Sequence, residues 1–101
     1  MSIRVEFHRL AQKEYLDARR WYAERSLEAA ANLTIAVNHA ISRIRANPEG
    51  FSKIAKQFHY VRVTGFPYIL TFRQLEPELI LVHAMAHTSR RPGYWRKRRF
   101  D

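Results

Sequence analysis

Leu79-Ile80-Leu81-Val82-His83-Ala84-Met85-Ala86 is apolar at every position but His83, and His87-Thr88-Ser89-Arg90-Arg91-Pro92-Gly93-Tyr94-Trp95-Arg96-Lys97-Arg98-Arg99-Phe100 follows it. A short apolar run bounded by turn residues reads as a buried strand. That strand delivers a basic, aromatic tail, residues 88–101, to a surface. From Arg90 onward six Lys/Arg stand against the single Asp101, with Tyr94 and Trp95 among them. Cations interleaved with flat π surfaces suit a polyanion or an acidic protein partner.

Working back from the strand, Glu76-Pro77-Glu78 marks a reversal, Tyr68-Ile69-Leu70-Thr71-Phe72 is rich in β formers, and Thr64-Gly65-Phe66-Pro67 is a turn. His59 to Val63 alternates loosely, so three strands with tight turns form an antiparallel meander. Upstream the period lengthens. Ala30, Leu33, Val37, Ala40 and Ile44 share one stripe of a helix that Ser26 can cap and that Asn47-Pro48 with Gly50 ends. Ala11, Tyr15, Ala18 and Tyr22 share a face of a preceding helix, flanked by Trp21. A connection this short makes the two an antiparallel hairpin. Ile3, Val5 and Phe7 alternate with polar residues, so a strand starts the chain. The expected fold class is therefore α+β: an N-terminal strand, an antiparallel helical hairpin packed on one face of a sheet, then a three-stranded antiparallel meander.

Composition bounds the function. The 101 residues are enough for one domain, 1–101, with a modest core. A hydrophobic fraction of 47% argues for a folded chain. The net charge of +9 is uneven: residues 1–51 hold eight Lys/Arg against six Asp/Glu, residues 52–101 ten against three. Cysteine is absent, which removes disulfides and zinc-thiolate sites. No N-terminal apolar segment or membrane-spanning run is present, so a soluble cytoplasmic protein with no membrane association is expected. His8, His39 and His59 are too scattered to argue for a metal. His83 and His87, four apart on a strand, are expected to face the same side, but two histidines make weak zinc ligation. Neither a metal nor a cofactor is expected.

Arg20-Trp21-Tyr22 in the first helix, Asn47-Pro48, Arg62 followed by Phe66-Pro67-Tyr68, and Ala86-His87 with Arg91-Pro92-Gly93-Tyr94-Trp95, in this order of elements, resemble the RelE/ParE superfamily of bacterial toxins over nearly the whole chain. The resemblance implies a toxin of a type II toxin–antitoxin system, causing growth arrest and neutralised by direct binding of a cognate acidic antitoxin in a hetero-oligomer. It also implies one of two targets, DNA gyrase or mRNA on the ribosome.

The two targets ask for different chemistry. Cleaving RNA requires activating a 2′-OH and stabilising a charged phosphorane, hence a general base, a general acid and clustered cations. The ribonuclease branch typically carries an arginine just after the aromatic of the second meander strand. Here Ile69 follows Tyr68, and Tyr60-Val61 precede Arg62. If the chain were such a nuclease, Arg62, His87 and Tyr94 would be its catalytic set. The ParE-like branch inhibits gyrase by binding and needs no catalytic residue; its Phe-Pro-Tyr turn and Arg-x-Pro-x-Tyr-Trp ending are both matched. That branch is the preferred reading, with Arg62, His87, Arg90, Arg91, Tyr94, Trp95 and Arg98 as the target- or antitoxin-binding set. A plain nucleic-acid-binding module is the third reading, favoured by a pI near 10.7 and opposed by the lack of a helix-turn-helix.

Structural roles compete for each of these residues. His87 can satisfy a turn, Arg62 can pair at a sheet edge, Tyr94 and Trp95 can be core aromatics, and Arg96-Lys97-Arg98-Arg99 can be a solvated terminus. The helical stripes are expected to hold the fold and the tail is not, so that deleting residues 97–101 should cost far less than truncating Leu33 or Val37.

Overall fold

A computed structural model describes residues 2–99. Strand β1 (Arg4–Phe7) leads into helices α1 (Arg9–Ala23) and α2 (Leu27–Ala46), a single 3₁₀ turn at Pro48–Gly50, and strands β2 (Lys53–Ala55), β3 (Phe58–Val63), β4 (Tyr68–Glu76) and β5 (Leu79–His87). The α+β class and the helical hairpin agree with the sequence reading. Strand β2 adds a fourth member to the expected meander. Its three residues are too few to show a period.

Local chemistry explains the helix ends. The His8 Nδ1 accepts the Leu10 N–H at 3.1 Å to start α1, and the Ser26 Oγ accepts the Ala29 N–H at 3.1 Å to start α2. Glu28 in the first turn of α2 and Arg43 and Arg45 in its last turn complement the helix dipole. Pro48, which has no N–H to donate, follows the C-cap residue Asn47.

The sheet order is β1-β5-β4-β3-β2, with β1 parallel to β5 and every other neighbour antiparallel. A parallel neighbour requires a crossover, and the helical hairpin supplies it. Strand β5 is thus interior to the sheet along residues 79–82, which explains its continuous apolar run. The hairpin covers one face: Leu33, Val37 and Ile44 of α2 pack with Val61, Leu70, Phe72, Ile80 and Val82. All five residues of the α2 stripe are buried.

The opposite face is covered by the tail, where Trp95 is 2% exposed and packs with Phe58, Ala84 and Ala86. Trp95 makes edge contact with Phe58 at 4.8 Å between centroids. Trp95 thus takes the core role that the sequence offered for it, and without the tail this second apolar face would lie open to water.

A β-bulge corrects one further expectation. Thr71 pairs with Ala84 and Phe72 with Val82, so His83 has no partner of its own. The alternation slips by one residue there. Met85 joins the helical side with Ile80 and Val82, and His87 borders a cleft beside Tyr22 and Tyr68 on that side. His83 instead stacks edge-on against Phe58 on the tail side. The two histidines do not share a face.

Candidate functional site

Strand β1 ends at Phe7, opposite Val82, so beyond that point β5 has no strand on its outer side and its backbone groups need other partners. Helix α1 and the tail supply them. The Glu14 Oε1 accepts the Met85 N–H at 3.1 Å, and the Arg98 Nη1 donates to the His83 carbonyl at 2.9 Å. The same two side chains bind each other with both forks, Nη1 to Oε1 and Nη2 to Oε2, each at 2.9 Å. The Tyr94 hydroxyl completes the cluster by donating to the Glu14 Oε2 at 2.5 Å. The Arg90 guanidinium lies over the Tyr94 ring, 3.8 Å from its centroid, and 3.9 Å from the Glu14 Oε2. Burial, then the hydrogen bond and charge of Glu14, push the Tyr94 phenol up to about 12.

On the tail side of the sheet, alternation in β3 and β4 points Tyr60, Arg62 and Ile69 outward. With Ala86, Arg91, Pro92 and Trp95 they line a shallow pocket of about 210 Å³. Arg62 and Arg91 are both exposed. Among the described residues neither has a carboxylate within salt-bridge distance. His87 stands at the rim with its Nδ1 accepting the Ser89 N–H at 3.1 Å and its ring edge-on to Tyr68 at 5.3 Å. Its position agrees with a turn-satisfying role and leaves Nε2 outside that turn.

The seven residues singled out from sequence thus divide. Arg62, Arg91 and the edge of His87 face the shallow pocket. Tyr94 and Arg98 are held in the Glu14 cluster, with Arg90 spanning the two. Trp95 is core. Sequence reasoning missed Glu14, the hub of the cluster. A signal existed, because Glu14 falls three residues after Ala11 and four before Ala18, on the apolar face of α1. A carboxylate on that face of a strongly basic chain calls for a buried cation.

His83 forms a separate buried site. Its Nε2 accepts from the Arg73 Nε at 3.1 Å, while its Nδ1 and the Thr71 Oγ1 have no partner among the described residues. Burial, then the charges of Arg73, His8 and Arg98, lower its pKa to about 4. It is neutral at pH 7. Among the described residues no group of three or more His, Asp or Glu side chains is arranged to hold a metal ion, and no helix is long and apolar enough to cross a membrane.

No curated protein matches the sequence significantly. The family described as the ParE toxin of the type II toxin–antitoxin system, parDE, matches residues 5–92, from β1 through the helical hairpin and the whole meander to the start of the tail. This chain belongs to that family of toxins.

Proposed function

We propose that this type II toxin acts by binding rather than by catalysis: it inhibits DNA gyrase in the cytoplasm and is neutralised by direct contact with an acidic cognate antitoxin. The observation that carries this reading is the state of Tyr94. A phenol held by Glu14 and pushed up to about 12 is a poor proton donor or acceptor near pH 7. Arg98, which would otherwise offer a second cation, is bound by the same carboxylate. Of the RNA-cleaving set only Arg62 and His87 remain unengaged at their outer atoms, and together they lack a second acid–base partner.

A binding surface asks for less. Arg62 and Arg91 flank an aromatic-lined depression on the tail side and supply two cations to an acidic protein surface. For the antitoxin, the outward residues of the hairpin offer apolar purchase: Leu27 is 79% exposed and Ile35 65%, two turns apart on α2. An acidic amphipathic segment suits that stripe and the net charge of +9. Expression of the chain with and without its neighbouring gene, followed by assays of DNA breaks and of mRNA cleavage, tests the reading. DNA breaks without mRNA cleavage, relieved by the neighbour, are the expected result.

A further inference from the structure

Between α1 and the paired ends of β4 and β5 lies a cleft of about 540 Å³, walled by Trp21, Tyr22, Tyr68, His87, Arg90 and Tyr94. Two carboxylates also border it, and both are engaged. Glu14 holds Arg98, Tyr94 and the Met85 N–H, and Asp17 holds the Lys13 Nζ at 2.7 Å. The hydroxyls of Tyr22 and Tyr68 take part in no hydrogen bond among the described residues. The His87 Nε2 lies outside the Ser89 turn that occupies Nδ1. The Arg90 guanidinium lies over the Tyr94 ring, 3.8 Å from its centroid, and lines the same cleft.

The unengaged groups share one chemistry, since each can donate a hydrogen bond to an anion. Tyr68 retains its proton firmly, because burial and then the neighbouring Tyr22 phenol raise its pKa. Beside these donors Trp21, 49% exposed and edge-on to Tyr22 at 4.9 Å, forms an aromatic wall, with the Arg25 guanidinium 3.6 Å from its ring centroid. A cationic guest would meet Arg90 with both carboxylates already paired. An anionic guest meets two phenols, an imidazole and a guanidinium on a chain of net +9.

We propose that this cleft is a carboxylate-reading subsite, which takes an Asp or Glu side chain of the antitoxin between Tyr22, Tyr68, His87 and Arg90 while an adjoining apolar side chain rests on Trp21. The inference builds on the antitoxin reading given above and assigns one anchor of that contact.

The test has two arms. In the first, calorimetry compares binding of the protein encoded by the neighbouring gene to the native chain and to the Tyr22→Phe/Tyr68→Phe double variant. That variant keeps both rings, and circular dichroism checks its fold. A roughly tenfold weaker Kd, equivalent to about 1.4 kcal/mol, is expected. In the second arm, NMR follows the labelled full chain titrated with a capped tetrapeptide, Leu-Asp-Leu-Trp, and with its Asn counterpart. The Asp peptide should shift the His87, Tyr22 and Tyr68 signals, and the Asn peptide should not. If the neighbouring protein binds the double variant as tightly as the native chain, the subsite assignment falls and the antitoxin reading stands. If it fails to bind the native chain, that reading falls, and the peptides alone decide the subsite. Equal shifts from both peptides, or stronger shifts of the same signals by inorganic phosphate, overturn the assignment.

Discussion

Glu14 of α1 and Arg98 of the tail, 84 positions apart, bind fork to fork at 2.9 Å and together satisfy the backbone of β5 where β1 no longer covers it. One accepts the Met85 N–H and the other donates to the His83 carbonyl, so the pair does the work of a missing strand. Both side chains are mostly buried, at 17% and 11% exposure.

Removing one partner of such a pair leaves the other charged and unmatched. Glu14→Ala should therefore cost about 3–5 kcal/mol, read as a lower urea midpoint at unchanged slope. A loss below 1 kcal/mol would show the cluster to be a surface ion pair.

Leu33→Ala, which opens a cavity under α2, should cost about 2–5 kcal/mol. Deleting residues 97–101 removes Arg98 and is expected to cost a comparable amount. Parallel thermal melts check this. A truncated chain with native stability would mean that the tail beyond Trp95 is dispensable.

Histidine 83 sets a stability trend on the acid side. Its folded pKa, about 4, lies below the usual 6.5, so between these values the unfolded chain binds a proton that the folded chain refuses. Its contribution is complete above pH 6.5 and is lost as pH falls toward 4, with a slope of up to about 1.4 kcal/mol per pH unit. His83→Gln keeps an acceptor for Arg73 and should flatten this part of the profile. Tyr94 acts at the other end: with its pKa raised from 10 to about 12, stability falls as pH rises through that interval. Denaturant midpoints across pH 4–8 and pH 9–12 read both trends.

Much of the architecture was legible because it rests on local period. The stripe Ala30, Leu33, Val37, Ala40, Ile44 is buried as its spacing implied, and the Gly65 turn and the Ser26 cap fall where their chemistry placed them. What was not legible depends on long-range pairing. Three residues of β2 carry no period, nothing in Arg4–Phe7 says that it will lie parallel to β5, and the bulge at His83 exists only relative to β4. The tail misled because Arg98 looks like its neighbours Arg96, Lys97 and Arg99. What separates it from them is its contact with Glu14, 84 positions away in the sequence.

Arginines 91 and 98 should accordingly behave differently when reversed. Arg91→Glu is expected to abolish growth arrest in a chain that folds normally, since its side chain is exposed. Arg98→Glu is expected to abolish it by placing a second carboxylate against Glu14 and unfolding the chain. Circular dichroism on both variants, beside the growth assay, distinguishes the two causes.

The most direct measurement of the central claim adds the purified chain to a DNA gyrase supercoiling reaction and, separately, to a translating extract in which mRNA ends are mapped. Inhibited supercoiling, intact mRNA, and little change in either readout for a folded His87→Ala variant are expected. Untouched supercoiling together with cleaved mRNA, the cleavage falling by about 10²–10⁴ in His87→Ala, would contradict it and make the chain a ribonuclease.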